Sequence, residues 1–303
     1  MKNATYVVKT FLCLFVLCLA GRLAAQTATA PFTHQGITAS TGDFLGFLQY
    51  KPADYDQNPN TRYPVIIFLH GIGERGNGTT ELDKVAWVGM PRIVYKGNKM
   101  RFTWNGKTET FLVLAPQCPI KYYMWPAAFV NDLINYAKQN LHIDTNRIFL
   151  TGLSMGGGGS MRYISDALPG NAKNIAAVAT IAAPCTFRTG QYAAEAHLPV
   201  WSFHAEDDPT ASAQCTKNAI AGLNQWNPSP KPLLDLWPTG GHIVWDRVYT
   251  DTNYKYQGVV NIYEWFLGQN KSLPVNQMPV ANAGGDKSIS GNTIVLDGSA
   301  SAD

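Results

Sequence analysis

The segment Gly152–Gly156, GLSMG, matches the pattern G-x-S-x-G, in which a serine stands on a sharp turn between a strand and a helix. The backbone there is too crowded for side chains two residues away on either side, so the pattern needs glycine at both places. An apolar run, Ile148–Thr151, precedes the motif, and a predicted helix begins at Met155. The motif predicts a nucleophile at Ser154, and an ordinary glycine-rich turn is the alternative.

A serine hydroxyl is a poor nucleophile unless a histidine takes its proton and a carboxylate orients that histidine. Around a turn of this kind, the acid and then the histidine follow the serine along the chain. Of six histidines, His197, His204 and His242 follow Ser154. His242 is the predicted base, because it follows an apolar run and a pair of glycines. His204 ends a strand ahead of the acid candidates, and we expect it to support the site rather than act as the base.

Three carboxylates, Glu206, Asp207 and Asp208, follow the apolar run Val200–Phe203. Asp208 is the predicted acid and Asp207 the second choice, because the acid of such a loop lies a few residues past the strand and just before the next helix. At least two of the three are ordinary surface charges. The interval on each side of Asp208 leaves room for a strand and a helix.

The tetrahedral oxyanion that forms when a serine attacks a carbonyl carbon needs N–H donors. One predicted donor is the backbone N–H of Met155, the residue after the nucleophile. The other is expected in the loop after the strand Val65–Leu69, at Ile72 with Gly71 as the alternative. In that same loop, Glu74 and Arg75 are expected to brace the chain.

Positioning these residues requires a sheet whose strands end next to one another. Short apolar runs alternate with amphipathic stretches between about residues 36 and 269, which predicts an α/β fold with a mostly parallel sheet and helices on both faces. Active-site residues then lie at the carboxyl ends of the strands. The clearest strands are Val65–Leu69, Phe111–Ala115, Ile148–Thr151, Ala176–Ile181, Val200–Phe203 and Leu233–Leu236, and the helices are Ala127–Gln139, Met155–Leu168, Ser212–Gln225 and Gln257–Leu267.

The chain of 303 residues is 46% hydrophobic and 15% charged, which excludes a disordered, collagen-like or polytopic membrane protein. Residues 1–25 have a basic start, an apolar run and small residues before Gln26, and predict a secretory signal peptide, with a short membrane anchor as the alternative. Without Lys2, Lys9 and Arg22 the formal charge of +3 becomes zero. Nucleic acid is therefore not expected as a partner. Stable membrane insertion is not expected either, because the apolar run is too short to span a bilayer. The protein is expected to be secreted or extracellular, with the periplasm or cell surface as other locations.

Three cysteines follow the signal peptide, Cys118, Cys185 and Cys215, so at most one disulfide can form among them. The spacing of Cys and His residues matches no metal site, and we expect neither a metal nor a cofactor.

The chain resembles the α/β-hydrolase family of secreted esterases and predicted peptidases, in the group of polyhydroxybutyrate-depolymerase-like and feruloyl-esterase-like enzymes. The resemblance covers about residues 45–268 and rests on motifs in order: FLHGIGERG, LAPQCP with Trp125 after it, IDTNRIFLTGLSMGG, WSFHAEDD and GGHIVWDRVY. It implies the α/β-hydrolase fold over residues 26–268 and a triad of Ser154, Asp208 and His242. Ala205 departs from the family's glycine, which bears on the position of the acid. The usual strand order of the family also implies neighbouring loops for Cys185 and Cys215, as a disulfide or as two buried thiols.

After residue 268 the composition changes. Residues 269–280 are interpreted as a linker. Residues 281–303, ANAGGDKSISGNTIVLDGSASAD, together with Pro279 and Val280 before them, resemble the start of a PKD-type β-sandwich domain that is truncated here and could contact a glycan. A disordered tail is the alternative.

The resulting hypothesis is a secreted serine esterase that acts on polymer-linked esters, acetyl or feruloyl polysaccharide esters first. The alternatives are a polyester or polyhydroxyalkanoate depolymerase, a serine peptidase of the same fold, and, from another class, an inactive hydrolase-like module that binds glycans. Trp125, Trp245 and His70 are the expected substrate contacts, and packing in the core is the alternative for the two tryptophans.

Overall fold

The structure is a computed structural model, and it describes residues 31–166, 168, 170–251 and 260–272. A central sheet has eight strands in the order β1-β2-β6-β3-β7-β8-β9-β10, and β4 pairs with β5 in a separate hairpin. The strands are β1 Thr33–Thr38, β2 Phe44–Tyr50, β3 Tyr63–Leu69, β4 Arg101–Trp104, β5 Lys107–Thr110, β6 Leu112–Pro116, β7 Ile143–Leu153, β8 Ala177–Ile181, β9 Val200–Ala205 and β10 Leu233–Trp237.

The six strands predicted from apolar runs form the parallel part of the sheet, from β6 to β10 in the order given. The antiparallel strands β1 and β2 extend it beyond β6 and were not predicted. Strand β1, THQGIT, is partly exposed and largely polar, so it lacks the continuous apolar pattern of a buried strand.

Helices cover both faces of the sheet. They are α1 Gly89–Tyr95, α2 Ala127–Asn140, α3 Met155–Ser165, α4 Gln191–Glu195, α5 Ala213–Asn224, α6 Trp245–Thr250 and α7 Ile262–Leu267. Buried side chains of α1, α6 and α7 form one core cluster, and those of α2 to α5 mainly form the other. Strand β3 contributes to both: Ile66 and Phe68 belong to the first cluster, and Val65, Ile67 and Leu69 to the second. This alternation follows from the opposite orientation of successive side chains along a strand.

Two predicted helices differ at their ends. Helix α3 ends at Ser165, three residues before the predicted end at Leu168. Helix α7 begins at Ile262 because Asn261 caps it: the Asn261 side chain accepts from the Tyr263 and Glu264 N–H groups, and Glu264 accepts in return from the Asn261 N–H. The predicted start of this helix at Gln257 lies outside the described residues.

The signal peptide predicted over residues 1–25, most of the linker and the PKD-like segment also lie outside the described residues. Within residues 31–272, as far as they are described, none of the helices has the length and apolar character to cross a membrane.

Candidate active site

Ser154 stands on the turn between β7 and α3. Its φ of 50° is a strained value for a residue other than glycine, and such strain is typical of a serine on this kind of turn. A Cβ on Gly156 would collide with the carbonyl oxygen of Leu69, and a Cβ on Gly152 would lie 2.8 Å from that same atom. Gly156 is therefore required by the close approach of β3, and Gly152 by that approach and by the Gly156 carbonyl oxygen, which would lie 2.4 Å from its Cβ.

Three more glycines in the first turns of α3 allow other segments to approach. A Cβ on Gly157 would lie 2.8 Å from the Ile181 carbonyl oxygen, and one on Gly158 would lie 2.8 Å from Cγ of Pro184. On Gly159 it would lie 2.6 Å from Cβ of Trp125. The run of glycines thus packs the helix behind Ser154 tightly against the loop that follows β8 and against Trp125.

Ser154, His242 and Asp208 form one hydrogen-bonded chain. Nε2 of His242 lies 2.9 Å from Oγ of Ser154, and Nδ1 of His242 lies 2.7 Å from Oδ2 of Asp208. The Nδ1 hydrogen is donated to the carboxylate, which leaves Nε2 to accept the serine hydroxyl. Strands β7 and β9 and the turn after β10 bring the three residues to the carboxyl end of the sheet, where the sequence placed them.

Asp208 is buried among donors. The side chain has no exposed area, and Oδ1 accepts from the N–H groups of Thr210 at 2.8 Å and Ala211 at 3.0 Å. Burial raises the pKa of Asp208, but the hydrogen bonds from His242, Ala211 and Thr210 outweigh burial, so its pKa is below the usual value. The carboxylate is therefore charged where it faces His242.

The other two carboxylates of this loop have different partners. Oδ1 of Asp207 accepts from the Gly241 N–H at 2.8 Å, which ties the loop to the turn before His242. Glu206 forms an ion pair with Lys217 on α5. Of the three candidates, the structure brings Asp208 to the histidine.

The loop after β3 lies beside the nucleophile. A Cβ on Gly71 would be 3.7 Å from Cβ of Ser154 and 3.1 Å from Cδ1 of Leu153. The Gly71 N–H interacts with the Glu74 carboxylate, and this opposes the effect of burial, which raises the pKa of Glu74. Ile72 is the first residue of a single 3-10 turn, Ile72–Glu74, where a backbone N–H has no partner inside the turn. Of the two predicted donors in this loop, Ile72 therefore has the more available N–H.

His70 orients the peptide that carries this N–H. Its Nδ1 lies 2.6 Å from the Gly71 carbonyl oxygen, and its Nε2 accepts from the Cys118 N–H at 2.9 Å. The imidazole is thus neutral with its hydrogen on Nδ1, and burial, the largest effect, lowers its pKa to about 4. In a trans peptide the C=O and N–H groups point in opposite directions, so the bond to Gly71 also fixes the direction of the Ile72 N–H.

Arg75, which belongs to this loop, and Gln117, which follows β6, hold the loop in place. Arg75 donates to the carbonyl oxygens of Ile72 at 3.0 Å, Ile120 at 3.1 Å and Tyr122 at 3.0 Å, which is the bracing expected of it. Gln117 is fully buried, and the sequence interpretation did not assign it a role. It donates to the carbonyl oxygens of Glu74 and Glu81 and accepts from the Gly78 N–H. Its only sequence signal is a polar residue directly after the buried strand β6.

The expected substrate contacts of His70, Trp125 and Trp245 do not fit the structure. His70 is 0% exposed and Trp125 is 1% exposed, and the Trp125 indole N–H donates to the His70 carbonyl oxygen at 3.0 Å. Trp245 is 8% exposed and packs edge-on against the His242 ring, with 5.1 Å between the ring centres. All three are buried supports of the candidate site, because they pack behind the segments that carry Ser154 and His242.

A disulfide joins Cys185 to Cys215, which is one of the two alternatives that the resemblance leaves open, and Cys118 is a buried free thiol. Cys185 lies in the loop after β8, where Thr186 donates to the Gly158 carbonyl oxygen at 2.7 Å. Cys215 lies in the first turn of α5. The disulfide therefore connects the loop that contacts the serine's helix with the helix that follows the acid.

Comparison with known proteins gives related folds and one curated relative. The chain is 25% identical over 171 residues to the bifunctional acetylxylan esterase/xylanase XynS20E of Neocallimastix patriciarum. This match covers 54% of the chain but 22% of the relative, so the chain corresponds to a small part of that protein.

Among solved structures, a thermostable esterase matches with a TM-score of 0.57 and 24% identity, covering 79% of this chain and 63% of that chain. The dipeptidyl peptidase 4 of Porphyromonas gingivalis matches with a TM-score of 0.53 and 15% identity, covering 79% and 36%. At these identities the likeness shows the α/β-hydrolase fold. The family model described as "Putative esterase" matches residues 38–223, which is more than half of the chain and includes Ser154 and Asp208. The chain belongs to this Esterase family.

Proposed function

We propose that the protein is a serine hydrolase that cleaves carboxylic esters through an acyl-enzyme. The observation that carries the proposal is the hydrogen-bonded chain from Ser154 Oγ through His242 to the buried carboxylate of Asp208, with the serine on a strained turn. Membership of the Esterase family makes esters the first substrates to consider.

In the first half of the reaction, Ser154 Oγ attacks the ester carbonyl carbon and passes its proton to Nε2 of His242. The charged imidazole is stabilised by Asp208, and the negative oxygen of the tetrahedral intermediate accepts from the N–H groups of Met155 and Ile72. His242 then gives the proton to the leaving alkoxide oxygen, and the carbon–oxygen bond to the alcohol breaks. The acyl group is left on Ser154.

In the second half, a water molecule attacks the acyl carbon while His242 takes one of its protons. The tetrahedral intermediate collapses, His242 returns the proton to Ser154 Oγ, and the carboxylic acid leaves. Each half thus uses the same base and the same two donors, and no cofactor is needed to balance the protons.

We propose polymer-linked esters as the substrate class, with acetyl or feruloyl esters of polysaccharides first and polyesters second. The acetylxylan esterase named in the curated relative supports the polysaccharide choice, and the PKD-like sequence of residues 281–303 agrees with a modular enzyme that contacts a glycan. The signal-like residues 1–25 and the disulfide support export to an oxidising compartment.

The triad is tested by Ser154→Ala. We expect kcat/KM on p-nitrophenyl acetate to fall by about 10⁴-fold or more, because the acyl-enzyme can no longer form. Ser160→Ala is the matched control, since Ser160 lies on the same helix with its hydroxyl bonded to the Gly156 carbonyl oxygen, and it is expected to keep most of the activity. A fluorophosphonate probe should label wild type and Ser160→Ala but not Ser154→Ala. Full turnover by a folded Ser154→Ala variant contradicts the proposal, and absence of labelling in the wild type favours a binding module.

The substrate class is tested with acetylated xylan, methyl ferulate, short p-nitrophenyl esters and a polyester film, alongside amides matched to the soluble esters. We expect the highest kcat/KM on the polysaccharide ester. A clear preference for the amides would instead indicate a peptidase, and a preference for the film would indicate a polyester hydrolase.

A further inference from the structure

His204 is fully buried at the carboxyl end of β9, directly behind the acid. Its Nε2 lies 3.1 Å from Oδ2 of Asp208 and 2.9 Å from the carbonyl oxygen of Ala211. Its Nδ1 lies 2.7 Å from Oγ1 of Thr216, which is also buried. Both ring nitrogens therefore have partners, and one partner is the carboxylate of the proposed triad.

The partners determine which way the hydrogens point. A carboxylate oxygen and a carbonyl oxygen can only accept, so Nε2 of His204 carries a hydrogen and donates it to both Asp208 and Ala211. Thr216 can satisfy Nδ1 in either charge state of the ring, because a hydroxyl can donate or accept. The donor directed at Asp208 is thus fixed by its surroundings.

Asp208 consequently accepts four hydrogen bonds. Its Oδ1 is held by two backbone N–H groups, and its Oδ2 is shared between His242 at 2.7 Å and His204 at 3.1 Å. The two imidazoles approach the same oxygen from different elements, β9 and the turn after β10. No hydrogen bond joins His204 to Ser154 in the described part of the chain, whereas His204 bonds directly to Asp208, so its influence on the reaction is expected through Asp208.

We propose that His204 is a positioning residue that holds Oδ2 of Asp208 in place and takes part of its negative charge, and so adjusts how strongly the carboxylate stabilises the charged form of His242. This inference rests on the proposed serine hydrolase. A carboxylate oxygen that shares its negative charge between two N–H donors binds each donor less strongly than it would bind a single donor. His204 therefore allows His242 to give up its proton to the leaving alcohol more readily, while it keeps the acid from rotating.

Other charged groups around the acid have partners of their own. On its loop, Glu206 pairs with Lys217 of α5, and Asp207 accepts from the Gly241 N–H. On α6, which follows His242, Asp246 pairs with Arg92 and Arg247 lies over the Trp237 ring. None of these side chains has a hydrogen bond or ion pair with Asp208 among the described contacts, so the two histidines are the side chains bonded to its carboxylate.

The test compares His204→Asn with His204→Gln. Asn keeps a polar group near Thr216 but cannot reach Asp208, whereas the Gln amide nitrogen takes a position close to that of imidazole Nε2. We expect His204→Asn to lower kcat/KM by about 10- to 100-fold, and to move the acid limb of its pH profile upward by about half a pH unit or more. His204→Gln is expected to restore most of the activity and the wild-type position of the limb.

An acid limb that stays at the wild-type pH in a folded His204→Asn variant overturns the inference, since a purely structural support would reduce activity without moving the limb. A downward shift also overturns it, and so do equal losses in both variants. Near-ultraviolet circular dichroism and fluorophosphonate labelling of Ser154 identify folded protein. If the wild type fails to label or to hydrolyse esters, the proposed function fails; if it labels and the two variants behave alike, this inference alone fails.

Discussion

The buried His70 gives a prediction about stability that can be worked out from the structure. Burial holds its pKa at about 4, against 6.5 for a free histidine, so the folded protein resists a proton that the unfolded chain accepts. The unfolded state therefore binds more protons between these values, and the free energy of unfolding falls as the pH decreases through this window. From the two pKa values, the loss relative to pH 8 is about 2 kcal/mol at pH 5 and about 3 kcal/mol at pH 4.

The perturbation is His70→Asn, which leaves an amide near the Gly71 carbonyl oxygen but removes the titrating ring and the acceptor of the Cys118 N–H. At pH 8 we expect the variant to be less stable than wild type by about 1–3 kcal/mol, the typical cost of an unsatisfied buried donor. At pH 5 the wild type has lost stability because its unfolded chain takes up a proton at His70 that the folded protein resists. The variant has no titrating group at this position and loses no stability there. The stability difference between the two proteins should therefore shrink by about 2 kcal/mol.

Urea unfolding followed by tryptophan fluorescence at several pH values between 8 and 5 measures both free energies. Taking the difference between variant and wild type cancels the contribution of carboxylates such as Asp208. The exposed His197 supplies a matched control, and His197→Asn is expected to follow the wild-type curve. A difference between wild type and His70→Asn that stays constant from pH 8 to pH 5 would refute the conclusion that His70 is held neutral by burial.

Three further predictions concern the packing around the serine. Gly156→Ala should lower the free energy of unfolding in urea by about 3 kcal/mol or more, because the new Cβ would meet the backbone of β3. Gly170→Ala, which has open space around it, should change this free energy by no more than about 0.5 kcal/mol, and a fully stable Gly156→Ala contradicts the packing described. Replacing Cys185 and Cys215 together by serine should lower the free energy of unfolding by about 3–4 kcal/mol, because the disulfide closes a loop between residues separated by 30 positions. An unchanged urea midpoint would show that the disulfide does not constrain the unfolded chain. Arg75→Met should lower kcat on p-nitrophenyl acetate by about 10- to 100-fold with little loss of stability, because the hydrogen bonds that Arg75 donates to three carbonyl oxygens around the predicted Ile72 donor disappear. An unchanged kcat would show that Arg75 does not support this loop.

The parallel part of the sheet could be predicted because its strands are buried on both faces, which leaves continuous apolar runs such as VIIFL and AAVATI in the sequence. The antiparallel edge could not, since β1 is partly exposed and carries polar residues. Helix α6 was missed for a different reason: it has six residues, too few for a helical period to be recognised.

The geometry of the candidate triad follows from local sequence to the extent that each member lies in the loop or turn after a strand. The preference for Asp208 over Asp207 rests on its place just before the next helix. The sequence does not show which of the two side chains turns inward, and in the structure Asp208 faces His242 while Asp207 accepts from the Gly241 N–H. The roles of His70 and Trp125 depend on contacts 48 and 55 residues apart along the chain, which a single sequence does not reveal. The same is true of the bond between His204 and Thr216, which joins a strand to a helix.

The glycine run of α3 has a consequence for when the serine becomes reactive. Four consecutive glycines, Gly156–Gly159, disfavour a helix by about 4 kcal/mol relative to alanines, so this segment would not be helical on its own. Its helical form depends on β3, on the loop after β8 and on Trp125, which all pack against the glycines. A partly folded chain therefore lacks the turn that presents Ser154 to His242. Under the proposed function, the amount of active serine in a sample then reports the fraction of fully folded molecules, because Ser154 is not activated by His242 in an unfolding intermediate.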